Sequence, residues 1–172
     1  NLNSGTITGL NAGGLPDGSI QTADLASGVG GKILQVVSTT KTDTFSATTE
    51  DSWTDITGLS VAITPSSSSN KILFRAMINM GTDVSAAIPG LRVLRGSTAI
   101  GIGDASNNRG RASAAFGAAE DWLADCVPID VIDSPSSTSE LTYKVQYYKS
   151  QGSTIYVNQS YRDYDGTGYD YR

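Results

Sequence analysis

The densest chemical grouping in the chain lies around its second tryptophan. Glu120, Asp121 and Asp125 flank Trp122, and two carboxylates beside an aromatic ring can cleave a glycosidic bond, one as acid and one as base or nucleophile. Polysaccharide depolymerases place such pairs along long parallel β-helices with a broad groove. A chain of 172 residues cannot build that scaffold, so no hydrolase is expected. Asp163-Tyr164-Asp165-Gly166-Thr167-Gly168 has the opening of a calcium loop but lacks the further oxygen ligands and the terminal Glu, so it reads as a solvated turn. The chain contains no His, which removes imidazole bases, Ser-His-Asp arrangements and the commonest metal ligand. Gly101-Ile102-Gly103-Asp104 lacks the phosphate-loop pattern. No catalytic residue, metal site or cofactor is therefore expected. The single Cys126 excludes an intramolecular disulfide and reads as a small buried residue beside Val127.

Binding chemistry is better represented. All eight tyrosines follow residue 142, and Tyr161, Tyr164, Tyr169 and Tyr171 fall among Asp, Gly and Arg in the last twelve residues. Rigid aromatics with hydroxyl tips suit adaptable recognition surfaces, and their faces stack on sugar rings. Tyr143, Tyr147, Tyr148 and Tyr156 read instead as packing residues. The connections Gly81–Gly90 and Asp104–Phe116 are long enough to form a tip, and the second carries Asn107, Asn108, Arg109 and Arg111. These side chains can donate hydrogen bonds to the hydroxyls or anionic groups of a glycan. Arg109 and Arg111 equally suit ion pairs with acidic residues of a neighbouring subunit.

The elements that would position these residues are strands. Leu59, Val61 and Ile63 alternate with Ser60, Ala62 and Thr64, and Pro65 with four serines ends the run. Ile72, Phe74, Ala76, Ile78 and Met80 share one face of the next strand, with Leu73, Arg75, Met77 and Asn79 on the other. Leu91, Val93 and Arg95 precede a short hairpin through Gly96-Ser97 that leads to Ile100. Val127–Ile132 ends at an Asp-Ser-Pro-Ser-Ser turn, and Leu141, Tyr143, Val145 and Tyr147 face one way along the following strand. Ser150–Ser153 suits a hairpin into a strand of Ile155, Val157 and Gln159. Ser113–Asp125 reads as a loop with one helical turn. The expected core comprises Trp53, Leu59, Val61, Ile63, Ile72, Phe74, Ile78, Val93, Val145 and Val157. About eight strands without a long helix indicate an all-β chain, a β-sandwich of jelly-roll type.

Residues 1–31 differ from the rest. They are Gly-rich and nearly uncharged, with Leu2, Ile7, Leu10, Leu15, Ile20 and Leu25 recurring every three to five residues between turn residues. A lone chain leaves each of these in water, whereas identical chains wound about one axis bring each against its symmetry mates. The division is thus a shaft and oligomerisation segment at 1–31 and a head domain at 32–172. Thr22 could cap a helical turn over Thr22–Ala26.

Ser and Thr number 40 and charged residues are 17%, so the surface is hydroxylated rather than salt-bridged. A net charge of −5 and a pI near 4.5 provide no electrostatic footprint for nucleic acid. No run of about 18 apolar residues is present to insert in a membrane as a helix.

Several stretches taken together carry a resemblance: Gly14–Ala26 (Gly-Leu-Pro-Asp-Gly-Ser-Ile-Gln-Thr-Ala-Asp-Leu-Ala), Gly31–Phe45, Trp53–Pro65, Asn70–Arg75, Arg95–Gly103 and Thr142–Tyr147. The chain resembles tail-fibre and other virion structural proteins of tailed bacteriophages, of the marine and cyanobacterial type, over most of its length. The resemblance implies a homotrimer with an N-terminal fibrous shaft, attached to other virion proteins through its N-terminal side. It implies a non-enzymatic role in host attachment through a cell-surface glycan, and location on the virion. Chains of this kind continue with another apolar strand after the Gly/Tyr-rich stretch, and this one starts at Asn1 without an initiator Met, so a fragment incomplete at both ends is expected. In such a virus Asn158-Gln159-Ser160, spaced like a glycosylation acceptor, is only strand sequence. A capsid fibre or decoration protein shares the implied fold, and a secreted carbohydrate-binding module is a further alternative.

Overall fold

The computed structural model describes residues 33–85, 87–117, 123–150 and 153–163. The shaft residues Leu2, Ile7, Leu10, Leu15, Ile20 and Leu25, the turn at Thr22–Ala26, and Tyr164, Tyr169 and Tyr171 lie outside the described residues. The chain divides into two compact units, Asn1–Val36 and Val37–Arg172. In the first, Ile33, Leu34 and Val36 expose their side chains. The second contains β1 (Phe45–Ala47), β2 (Thr54–Ile63), β3 (Ile72–Thr82), β4 (Gly90–Arg95), β5 (Thr98–Ile100), β6 (Ala114–Ala115), β7 (Ala124–Asp133), β8 (Leu141–Tyr148) and β9 (Ile155–Val157).

The fold is all-β, with no helix among the described residues. Its strands form two antiparallel sheets, one in the order β1-β9-β3-β7 and the other β2-β8-β4-β5 with β6 also against β4. Alternation explains the pairing. β3 and β7 run in continuous register from Ile72↔Asp133 to Gly81↔Ala124, which turns Ile78, Met80, Val127, Ile129 and Val131 inward together. From the second sheet Ile56, Leu91, Val93, Tyr143, Val145 and Tyr147 meet them in one core. The two sheets thus pack as a β-sandwich. Phe74 on Tyr143 and Phe45 on Tyr147, each with ring centroids 6.2 Å apart, span the sheets. Each fully buried aliphatic side chain contributes roughly 1.5–3 kcal/mol over exposure.

One polar knot joins the sheets. Arg95 of β4 donates from Nη1 to both carboxylate oxygens of Asp133 at 2.7 Å. The Tyr143 hydroxyl donates to Asp133 Oδ2 at 2.6 Å. Asp133 is buried at the end of β7, so its charge is held by groups from the opposite sheet. Nearby, Gly101 has φ +60 and sits so close to Val131 that an added Cβ would stand 2.4 Å from Val131 Cγ2. Only a glycine permits that approach.

The structure departs from the sequence expectations at several points. Trp53 is not a core residue: Thr54 pairs with Tyr147 and takes the inward position, which places its predecessor outward and half-buried. Cys126 is exposed, because Val127 holds the inward position and neighbours in a strand face opposite sides. β8 and β9 do not pair as a hairpin across Ser150–Ser153, of which Gln151 and Gly152 lie outside the described residues, since the two strands belong to different sheets. Both edges of β8 are occupied by β2 and β4, so β9 crosses over to pair with β1 and β3. The segment Ser113–Asp125 contributes β6, the buried Phe116 and the start of β7.

Candidate functional site

Cross-strand register arranges side chains in ranks on the outer face of the second sheet. Tyr148 stands opposite Gly90, with Trp53 just ahead of β2 and its Thr54–Tyr147 pair. The next rank is Asp55, Gln146 and Arg92, followed by Ser60, Lys144 and Leu94. The second and third ranks cross β2, β8 and β4, and Trp53 of the first stands one residue ahead of β2. A long indole at the first rank needs room, and Gly90 leaves it: a Cβ there would lie 3.2 Å from Trp53 Cη2 and 3.5 Å from the Ala112 Cβ.

The second rank is held by a chain of hydrogen bonds. Arg92 donates from Nε and Nη2 to Gln146 Oε1 at 2.8 and 2.7 Å. Gln146 donates from Nε2 to Asp55 Oδ1 at 2.6 Å, and Lys144 donates to Asp55 Oδ2 at 2.7 Å. The Lys144 bond, helped by Gln146 against a desolvation effect of opposite sign, holds the Asp55 carboxyl below the usual carboxylate range. Burial lowers the Arg92 guanidinium from its ordinary value. That guanidinium lies 4.4 Å from the Trp53 ring centroid, a cation–π distance. Trp53 and Tyr148 are tilted neighbours with centroids 5.4 Å apart, and the Tyr148 hydroxyl donates to Asp51 Oδ1 at 3.2 Å.

Asn107, Asn108, Arg109 and Arg111 are all exposed on the connection between β5 and β6. Asn107 has φ +50, a conformation that asparagine tolerates in turns. Arg109 donates to Ser106 Oγ at 3.1 Å and Arg111 to the Gly103 carbonyl, so both brace their own loop. The loop rejoins the sheet at Ser113, whose Oγ donates to the Ile100 carbonyl and accepts from the Val93 N–H. Ala112, just before it, flanks Gly90 beside Trp53. Tyr161 is exposed and its ring lies tilted against that of Tyr156, with centroids 6.1 Å apart, Tyr156 belonging to β9 of the other sheet. The sequence candidates therefore divide between two sheets.

Of Glu120, Asp121 and Asp125, only Asp125 is among the described residues, and it is exposed. No cluster of three or more His, Cys, Asp or Glu among the described residues is placed to hold a metal ion. No helix among them is long and apolar enough to cross a membrane. The ranks of Trp53, Arg92 and Gln146 escaped the sequence reading. The available signal was a Trp just ahead of a strand whose first inward residue is Thr54. Compared with protein-family models and with curated proteins, the chain matches none.

Proposed function

We propose that the chain is a virion structural protein of a tailed bacteriophage, a homotrimeric tail fibre with residues 1–31 as shaft and a jelly-roll head that contributes to host attachment by binding a cell-surface glycan. The strand order supports the jelly-roll reading. Leaving aside the two-residue β6, the neighbours β1–β9, β2–β8, β3–β7 and β4–β5 describe one long antiparallel ribbon doubled at the β4–β5 turn, with successive pairs assigned to opposite sheets.

The observation that carries the trimer is the outer face of the first sheet. Leu73, Met77 and Ile132 are 60%, 69% and 70% exposed, with Ile132 opposite Leu73, Pro128 opposite Met77 and Cys126 one rank further on in the β3–β7 register. The Arg75–Asp130 pair at 2.8 Å sits in their midst. A single subunit leaves this apolar stripe in water, and a second copy of the chain would cover it.

Sedimentation equilibrium of the intact chain tests the reading. The expected mass is three times the 17.9 kDa of one chain, and removal of residues 1–31 weakens association while the head stays folded. A monomer at micromolar concentration would remove the fibre assignment. Antibodies against the head, applied to intact particles, should label the tail; labelling of the shell would place the same fold on the capsid.

A further inference from the structure

We infer that the outer face of the β2-β8-β4 sheet is a saccharide-binding surface, in which Trp53 and Tyr148 give apolar contact to a pyranose ring and Arg92, Asp55 and Lys144 hydrogen-bond its hydroxyls, with the buried Gln146 bracing Arg92 against Asp55. The inference deepens the attachment reading, on which it rests for the biological source of the glycan.

A pyranose presents two kinds of surface. Its C–H groups form an apolar face that packs on an aromatic ring, and its hydroxyls form a rim that donates and accepts hydrogen bonds. The outer sheet face supplies both. The two aromatic side chains at the first rank are half-buried and lie outside the core cluster, so part of their surface faces solvent. One rank away, Asp55 is an acceptor with its side chain 48% exposed, while Arg92 and Lys144 are donors. Arg92 Nη1 has no hydrogen-bond partner among the described residues.

Preorganisation strengthens the case. The bonds from Arg92 to Gln146, from Gln146 to Asp55 and from Lys144 to Asp55 fix these rotamers on folding, so a ligand need not order them. They sit on three paired strands rather than on a loop. The mixture of one carboxylate with two cations suits hydroxyl groups better than a phosphate backbone, which would meet Asp55 as a repulsive neighbour. The β5–β6 loop reaches the edge of this face at Ala112 and carries Asn107 and Asn108, further amide donors and acceptors.

The test uses the full chain and an immobilised glycan array containing neutral hexose, amino-sugar and uronic-acid polysaccharides, followed by titration with a bound oligosaccharide. Binding to one of these classes is expected, with a change in tryptophan fluorescence that survives in Trp122→Phe, where Trp53 is the only indole left. Trp53→Ala and Arg92→Lys should each weaken binding at least tenfold, and sedimentation should show both variants assembled as the parent is. Arg92→Lys keeps the charge and loses the fork to Gln146, so it reports on geometry even where Trp53→Ala folds poorly. Absence of binding to every glycan class overturns the inference, as does an affinity unchanged in both variants. Loss of binding only in the triple variant Asn108→Ala, Arg109→Ala, Arg111→Ala also overturns it, by moving the site to the loop, and leaves the attachment reading intact.

Discussion

Replacing Asp133 by Ala removes a buried carboxylate that ties the two sheets through polar bonds. The Tyr143 hydroxyl, in a residue that is almost fully buried, then loses its acceptor, which costs about 1–3 kcal/mol for an unsatisfied buried hydroxyl. The Arg95 side chain is 24% exposed and regains some water, so its loss falls below the ~3–5 kcal/mol of a fully buried broken pair. Together the change should cost about 3–4 kcal/mol. Against a typical domain stability of about 5–15 kcal/mol the folded state becomes marginal. Urea unfolding at fixed protomer concentration measures this, with an unchanged m-value expected. Asp133→Asn keeps one acceptor oxygen and should lose about half as much. In a double-mutant cycle with Tyr143→Phe, the Asp133→Ala cost should shrink by about 1–2 kcal/mol, because no hydroxyl is left to orphan. A cost below about 1 kcal/mol for Asp133→Ala, or strict additivity in the cycle, would refute the reasoning.

Other outcomes follow from the same contacts. Gly101→Ala should destabilise by at least about 2 kcal/mol in the same assay, and Val131→Ala in that background should recover only part, because the left-handed backbone strain remains. Tyr143 is raised above its ordinary value by burial first and then by the Asp133 bond, so the native chain holds the phenol proton more tightly than the unfolded one. Its share of stability is complete below about pH 10 and is lost as pH rises above it; thermal melts from pH 8 to 11 should fall less steeply in Tyr143→Phe. Asp55 behaves oppositely. Held below its ordinary 3.8 chiefly by the Lys144 bond, it stabilises above about pH 4 and ceases to as pH falls through its folded value, and Asp55→Asn should flatten the acid limb of the same melts.

The inward faces of β3, β4 and β8 were legible because apolar residues recur at every second position from Ile72 to Met80, at Leu91 and Val93, and from Leu141 to Tyr147; the face of β7 was not, and Cys126 was placed on the wrong side of it. Trp53 was not, since a residue ahead of the first strand pair takes its side from Thr54↔Tyr147, a partner far away in sequence. The β8–β9 crossing had the same cause: Ser150–Ser153 has hairpin chemistry, but whether a hairpin forms depends on whether β8 still has a free edge. For the site, loop length and donor content pointed to Asn107, Asn108, Arg109 and Arg111. The ranks could not be found that way, because Arg92 and Gln146 are separated by 54 positions and Gln146 and Asp55 by 91. No local pattern records that these residues become neighbours.

β7 ends its sheet, and a ten-residue outermost strand would ordinarily be a template onto which another chain could add a strand. Pro128 stands in its middle with no N–H to offer, and Asp130 follows two residues later with a charge. Hydrogen-bonded growth of the sheet from copy to copy is thereby interrupted. Copies that meet at this side of the molecule must do so through the side chains of Leu73, Met77 and Ile132, which have a fixed area and direction. Contact of that kind has a geometry set by side-chain shape and closes into a ring only where its rotation permits, whereas backbone pairing at an edge repeats strand by strand; the proline disfavours the second on a surface otherwise suited to it.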